Sequence, residues 1–579
     1  TDQMIDTPTN NFCTWNPLWG RTGKMPVLSE GNLVGASSDA AQTPISATFG
    51  GIQSGKWYWE IELKAKSGDC KVGLVNTSGQ MTDVNSSNHY FRLYMSDSGN
   101  KYTDTSGSTI AYGNTWTTGD IIGIALDMTN GALYFSKNNT WQDSGDPTSG
   151  ASKTGAAFTD VLSAMPDGGR GGGTGWVPYV DASDTTVRYV GNFGQDSSFA
   201  GEKTAQGNQD SNDKGDFYYE PPADYLALCT DNLSDPEIAL PGENFNSILW
   251  TGTGGSRAFT GVGFQPDFVW QKSRSNALNH ALYDSVRGVD LALLSDSTSG
   301  ELDRDAGGYL SSFDSDGFGT TAASSNDWFN TSSATYVAWN WKAGTTFDPT
   351  TDGSIASATG KSNSTAGFSI VKYTAENAVK TIGHGLSQAP TLILQKTLVS
   401  GQWECYYLRE DGSDGVIFLD QYGAGEAAGS GYWNDTNPTS SVFTVGTGSG
   451  TGGGTDDHIA YCFHSVEGYS KVGSYEGNGN ADGTFVYTGF KPAYTLIKRT
   501  EDSSSAYHWM IGDNKTSPYN PTDYMLQADD NAAEGDGNSV DYLSNGFKIR
   551  LSGSAFNASG KNYLFLAFAE SPFKTSNAR

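Results

Sequence analysis

Three stretches in the C-terminal part of the chain repeat one another, and this repetition limits its folds more than any other feature. In each, a glycine- and proline-marked strand ends in lysine: Gly263 to Pro266 to Lys272, Gly385 to Pro390 to Lys396, and Gly489 to Pro492 to Lys498. Proline and lysine are 6 residues apart every time. An aromatic residue stands 17 residues after each proline (Tyr283, Tyr407, Trp509), and a phenylalanine follows at offsets of 52, 53 and 55 (Phe318, Phe443, Phe547). Each stretch closes on an alanine-aromatic pair: Ala338-Trp339, Ala460-Tyr461 and Ala567-Phe568. Four landmarks in one order at near-constant offsets predict three tandem units of one design.

The local pattern predicts strands. Helix-period apolar runs are scarce, whereas alternation recurs. In the run from Lys56 to Leu63, the residues Trp57, Trp59, Ile61 and Leu63 fall on one face. Similar runs are Asp120 to Leu126, Gly131 to Ser136, Phe368 to Tyr373 and Thr391 to Lys396, separated by turn clusters such as Thr129-Asn130-Gly131. The 73 glycines fit short strands joined by tight turns, and the 15 Trp and 29 Tyr supply bulk for several cores. At 579 residues the chain is too long for one ordinary core and predicts about three to five domains.

Charge and cysteine usage narrow the function classes. With 35 basic against 64 acidic residues, a net of −29, the chain lacks the Lys/Arg excess that nucleic acid or anionic lipid requires. No apolar run approaches the ~18 residues of a membrane span. Cys13, Cys70, Cys229, Cys405 and Cys462 are odd in number, widely spaced and without a C-x-x-C pair, so buried free thiols are expected. Polar residues 201–216, the Pro-containing Phe217 to Pro222, and the Gly/Ser/Thr-rich residues 344–364 read as connections. The expected division is therefore an N-terminal extended segment (1–22), a β-sandwich (23–198), a linker with a docked Pro-rich segment (199–246), and β-repeats at 247–345, 346–467 and 468–579.

Several segments of the first block occur in the order of a known family. Gly55 to Glu60, Val72-Gly73-Leu74, Gly119 to Asp127, Gly131 to Phe135, Trp176 to Tyr179 and Gly191 to Gly194 together resemble a SPRY domain, a β-sandwich of the concanavalin-like kind. The resemblance covers about residues 23–198 and implies a binding module that works through loops at one end of the sandwich. The expected fold class is thus all-β, a SPRY-like sandwich followed by three tandem β-sandwich-like repeat domains.

A second resemblance spans nearly the whole chain. The opening Met4 to Cys13 with Trp15 to Leu18, the segment from Tyr218 to Cys229, and the three repeats look like tail-fibre-like virion proteins of bacteriophages, many from marine phages. In those proteins a lectin-like sandwich often precedes, and the repeats resemble a domain of unknown function. The resemblance implies a homo-oligomer (a trimer favoured) that binds other virion proteins and a host-surface glycan or protein. It also implies location on the virion, and a chain that begins inside a longer polypeptide. A capsid decoration or head-fibre role and a polysaccharide depolymerase stay open as alternatives.

Candidate site residues are few. The six histidines form no metal or catalytic pattern, and His458 and His464 flank a core strand as structural residues. No nucleophile elbow or phosphate loop is present, and no carboxylate pair stands out among 64 acids, so the chain is read as non-enzymatic, without cofactor. Sugar binding calls for an exposed aromatic beside hydrogen-bonding side chains. Trp141 with Asn138 and Asp143, and Trp433 with Asn434, are the candidates, but for Trp141 the favoured reading is that it folds back over the sandwich edge. Asp314 and Asp316 begin like a calcium loop, with Asp303-Arg304-Asp305 nearby, but no later Glu completes it; a β-turn with Asx hydrogen bonds is the favoured reading.

Overall fold

The computed structural model describes residues 7, 10–76, 91–103, 108–163, 175–303, 308–322, 328–409, 411–501, 507–537 and 540–576. Residues 4–6, 8 and 9 of the opening segment, together with His89, Arg304 and Asp305, lie outside the described residues. The regular elements are strands, and the helical turns among the described residues are 3-10 segments of three residues. The chain forms two compact units, the first reaching Asp235 and the second starting at Pro236.

The first unit is a two-sheet β-sandwich. Its second sheet is built on Lys56–Ala65, which pairs with Ile121–Asp127 on one side and Arg188–Asn192 on the other. Ile121–Asp127 turns back into Ala132–Lys137 through the predicted hairpin. Asp127 Oδ1 accepts the N–H groups of Thr129 and Asn130 at 2.9 Å each, and Gly131 supplies the positive φ (+78°) that closes the turn. Trp15–Gly20, expected within an extended lead-in, is a strand of the first sheet, paired with Gln42–Ala47.

Alternation along Lys56–Ala65 predicts one buried face, and Trp59, Ile61 and Leu63 are fully buried. The opposite face, Tyr58 and Glu60, is buried as well. A strap crosses it: Phe217, Tyr225 and Ala227 pack on Tyr58, and Leu226–Ala227 pairs in parallel with Trp57 and Tyr58. The beginning of the chain joins the strap, Cys13 N–H donating to Leu228 O at 2.8 Å and Thr230 N–H to Asn11 O at 2.9 Å.

Among its described residues the second unit holds three pairs of sheets, one pair within each repeated stretch. Each large sheet shares one strand order. In the first it runs Phe245–Thr251, Thr335–Trp341, Phe268–Ser273, Ala281–Asp284, Gly288–Leu293. In the second it runs Phe368–Thr374, Asp457–Phe463, Leu392–Thr397, Glu404–Leu408, Asp414–Phe418, and in the third Ser470–Glu476, Asn562–Pro572, Phe490–Arg499, Met510–Asp513, Leu526–Gln527. A small sheet covers the outer side of each, with Phe318, Phe443 and Phe547 in the three separate outer cores.

The inner faces of the three large sheets meet in one common core. Phe268 stacks on Tyr461 (centroids 4.3 Å apart), Phe245 on Phe568 (4.8 Å), and Phe463 meets Phe568 edge-on at 6.2 Å. Register shows which landmarks are equivalent. Phe268, Leu392 and Tyr494 face Asp284, Tyr407 and Asp513, so His280, Trp403 and Trp509 occupy one position, four residues earlier. The aromatics at offset 17 are therefore not equivalent, because the loops before the third strands differ in length. Likewise Trp339 and Tyr461 correspond to Leu566, not to Phe568.

The junctions close a ring. Trp403 Nε1 donates to Leu294 O at 2.8 Å and Trp509 Nε1 to Phe418 O at 2.9 Å, joining second to first and third to second. At the remaining junction His280 takes the tryptophan's place. Trp270 Nε1 donates to His280 Nδ1 at 2.9 Å, which leaves the proton on Nε2 to bond Gln527 O of the third repeat at 2.9 Å. Tyr461 OH donates to Asp284 Oδ2 at 2.8 Å and Trp339 Nε1 to Asp513 Oδ2 at 3.2 Å. Arg287, its side chain 0% exposed, pairs with Asp284 and with Glu301. Arg274 forks onto Glu534 with two bonds of 2.9 Å.

Candidate functional site

Of the residues expected to bind a sugar, the structure brings one group to the surface and buries the other. Trp141 lies on the short edge strand Thr140–Trp141, half-buried and edge-on to Tyr134 at 6.5 Å, with exposed Asp143 two residues on at φ +51°. Asn138 is committed to the turn: its Oδ1 accepts Ile121 N–H at 2.9 Å and its Nδ2 donates to Asp120 at 2.7 Å. Trp433 is a correction. It is 1% exposed, packed edge-on against Tyr406 in the second repeat's outer core, and offers a sugar no face. Asn434, at φ +57°, only turns the chain beside it.

Asp316 is occupied by protein. Its carboxylate accepts Gly261 N–H at 3.1 Å and Gly263 N–H at 2.7 Å, bonds that hold its carboxyl below the usual range, while Asp314 pairs across the hairpin with Gly317. These residues cap a loop, and among the described residues no cluster of three or more metal-ligating side chains occurs. His458 stacks on Tyr373 at 5.1 Å and accepts from Gln395 Nε2 at 3.0 Å. The five cysteines are free and buried, and burial pushes the Cys13 thiol up to about 12.

Glu60, on the face of its strand opposite Trp59 and Ile61, is a buried anchor. Four donors converge on it: Tyr218 N–H (2.9 Å), Tyr219 N–H (2.8 Å), Tyr58 OH (3.1 Å) and Asn192 Nδ2 (3.1 Å). Burial nonetheless outweighs these bonds and pushes the carboxyl up to about 7. Glu60 thus adds a polar tie between strap and sandwich to the Leu226–Ala227 pairing.

Lys272, Lys396 and Lys498, conspicuous in sequence, occupy one position at the three junctions and are fully buried. Each donates to backbone carbonyls: Lys272 to Ser273 O (2.7 Å) and Asn276 O (3.3 Å), Lys396 to Gly401 O and to Thr298 O (3.4 Å), Lys498 to Tyr507 O and to Gln421 O (3.3 Å). An aspartate recurs near each (Asp296, Asp420, Asp529), with one buried oxygen lacking a hydrogen-bond partner. Burial lowers each of the three amines to about 8. In the unfolded chain a lysine holds its proton to about 10.4, so between these values the unfolded state binds more protons. Stability of the second unit is therefore expected to rise, by about 2 kcal/mol or more, from pH 8 to about 9.5. Urea unfolding of the full chain at both pH values measures this, and Lys396→Met should remove about a quarter of the lysine contribution, because burial lowers Lys471 of the same unit to about 8 as well. A flat or falling transition would refute it.

Among the described residues, the aromatic side chains most open to solvent are tyrosines, Tyr519 (85% exposed), Tyr422 and Tyr524, rather than the tryptophans that sequence reasoning singled out. Tyrosines of this kind carry no signal in a single sequence, because loop and core tyrosines look alike until the core is known.

Comparison with known proteins bears on both units. Residues 56–163 match a family model described as the SPRY domain, and residues 240–572 match one described as a domain of unknown function, DUF7483. Among solved structures, the SPRY domain of human HERC1 is 20% identical over 31% of this chain and 96% of its own, at a TM-score of 0.22. A human SPRY domain is 12% identical, covering 29% and 94%, at 0.21. Stonustoxin is 16% identical, covering 31% of this chain and 27% of its own, at 0.22.

Proposed function

The chain belongs to the DUF7483 family, and from that premise we propose that it is a non-enzymatic binding protein of a bacteriophage virion, a tail fibre that touches the host surface. The observation that carries the reading is the SPRY domain at residues 56–163, a domain type that binds partners through loops at one end of its sandwich. Trp141, half-exposed on its two-residue edge strand, and exposed Asp143 just after it are the side chains we assign to such a contact. Further support comes from the resemblance of the opening segment, the strap and the repeats to tail-fibre-like proteins. The protein works as a homo-oligomer, a trimer favoured, held by other virion proteins and facing a host-surface glycan or protein.

Gold-labelled antibody against the chain, applied to intact particles, tests the reading. Label at the distal tail is the expected result. Label spread over the capsid would replace the fibre with a decoration protein, and particles without label would remove the virion role altogether.

A further inference from the structure

The three junctions of the ring are built on equivalent positions, and one of them differs in its chemistry. His280, Trp403 and Trp509 stand opposite Lys272, Lys396 and Lys498 in the strand register. Two residues before each lysine come Trp270, Leu394 and Leu496. Two junctions therefore combine a leucine with a tryptophan, whereas the junction of the first and third repeats combines a tryptophan with a histidine. All six side chains are buried, so either arrangement supplies the bulk. What changes is that only the imidazole takes up a proton near neutral pH.

Both ring nitrogens of His280 are committed in the closed ring. Nδ1 accepts the Trp270 indole N–H at 2.9 Å, and Nε2–H donates to Gln527 O of the third repeat at 2.9 Å. An indole nitrogen only donates, so a proton on Nδ1 would set two donors face to face and add a buried charge beside Lys272. Burial first, and Lys272 second, hold the imidazole well below its ordinary range. The charged groups around it are Lys272 and Asp296 of its own repeat and Asp530 and Glu534 of the third, Glu534 being paired with Arg274. Its contribution to closure is therefore complete above the unfolded value of ~6.5 and is lost progressively below it. Acid acts the other way at the junction of the second and third repeats. There His508 bonds Asp529 at 3.2 Å and lies edge-on to Tyr422 of the second repeat at 6.1 Å; the Asp529 bond raises it above its ordinary range. The His508 contribution is complete in acid and fades as pH rises.

We propose that the ring opens in acid at one place, the junction of the first and third repeats, with His280 as its proton-sensitive clasp. The device is internal to the second unit and stands apart from the virion reading above.

Hydrogen exchange on the full chain reads each junction separately, because a backbone bond crosses each one. Glu534 N–H donates to Arg274 O (2.8 Å) between the third and first repeats, Gly401 N–H to Thr298 O (2.9 Å) between the second and first, and Tyr507 N–H to Tyr422 O (3.3 Å) between the third and second. From pH 7 to 5, after correction for intrinsic exchange, protection at Glu534 is expected to fall relative to the other two. The double variant Trp270→Leu, His280→Trp installs the pair used at the other junctions and keeps every neighbouring carboxyl. Asp296, which burial pushes up to about 6 and which favours the closed form in acid, therefore cancels in the comparison. Over this range the opening constant at Glu534 should rise about twentyfold more in the parent than in the variant. His280→Gln, neutral and with a donor for Gln527 O, should show the same flattened response and takes the place of the double variant where that fails to fold. Equal loss of protection at all three junctions of the parent, or a neutral variant that opens in acid as the parent does, overturns the proposal.

Discussion

Removing residues 468–579 is expected to unfold the first two repeats. In a solenoid, terminal repeats can be deleted because each contacts only its neighbours. Here the third repeat closes a ring, and the first repeat depends on it as much as on the second. Its loss would strip Phe245 and Trp341 of Phe568 and Tyr494, Trp339 of Asp513, His280 of Gln527 and Arg274 of Glu534. Exposing several large aromatics at about 1.5–3 kcal/mol each consumes most of a typical stability of about 5–15 kcal/mol, before the orphaned polar groups are counted. The truncated chain should lose its near-ultraviolet dichroism for the second unit, while the intact second unit melts in a single calorimetric transition despite its internal repetition. A two-repeat chain that melts cooperatively would show that the shared core is dispensable.

Glu60→Ala is expected to destabilise the first unit by about 3–5 kcal/mol, because four donors that now meet one carboxyl would lie buried or be wetted by a cavity. For a unit of this size that lowers the melting temperature by roughly 6–15 °C. The strap should also detach, so cleavage by a protease within residues 199–216 should appear early in the variant. Acid separates the charge from the bonds. The folded carboxyl at about 7 lies above its ordinary 4.5, so its stabilising contribution is complete below the lower value. That contribution is lost as pH rises through the higher one, about 3 kcal/mol in all. Glu60→Gln should flatten this dependence while still loosening the strap, since an amide nitrogen would face two of the donors. A melting temperature within about 2 °C of the parent for Glu60→Ala would mean that apolar packing of Phe217 and Tyr225 alone holds the strap.

Much of the fold was legible in the sequence because strand formation is read locally. Alternation marked Lys56 to Leu63, and turn residues marked the hairpin after Asp127. The six-residue step from proline to lysine recurs because each such strand carries its inward residues, Phe268 and Trp270 for example, to a lysine at the junction. The offset-17 aromatics misled because loop lengths vary between repeats while sheet register does not. The candidate site was less legible. Trp433 and exposed tryptophans share one symbol, and only packing tells a core ring from a surface ring. Glu60 meets Tyr218 and Asn192, whose proximity to it no spacing rule encodes.

Sequence alone determined the strands, the repetition and the SPRY-type sandwich, since backbone alternation, turn chemistry and motif order are properties of neighbours along the chain. Tertiary structure alone decided what covers each face. It placed the strap over Glu60, joined three inner faces into one core, and set His280 where the other repeats use tryptophan. Alternation states which side chains share a face, but the free energy of covering that face comes from segments distant in sequence, and those contacts leave no local mark.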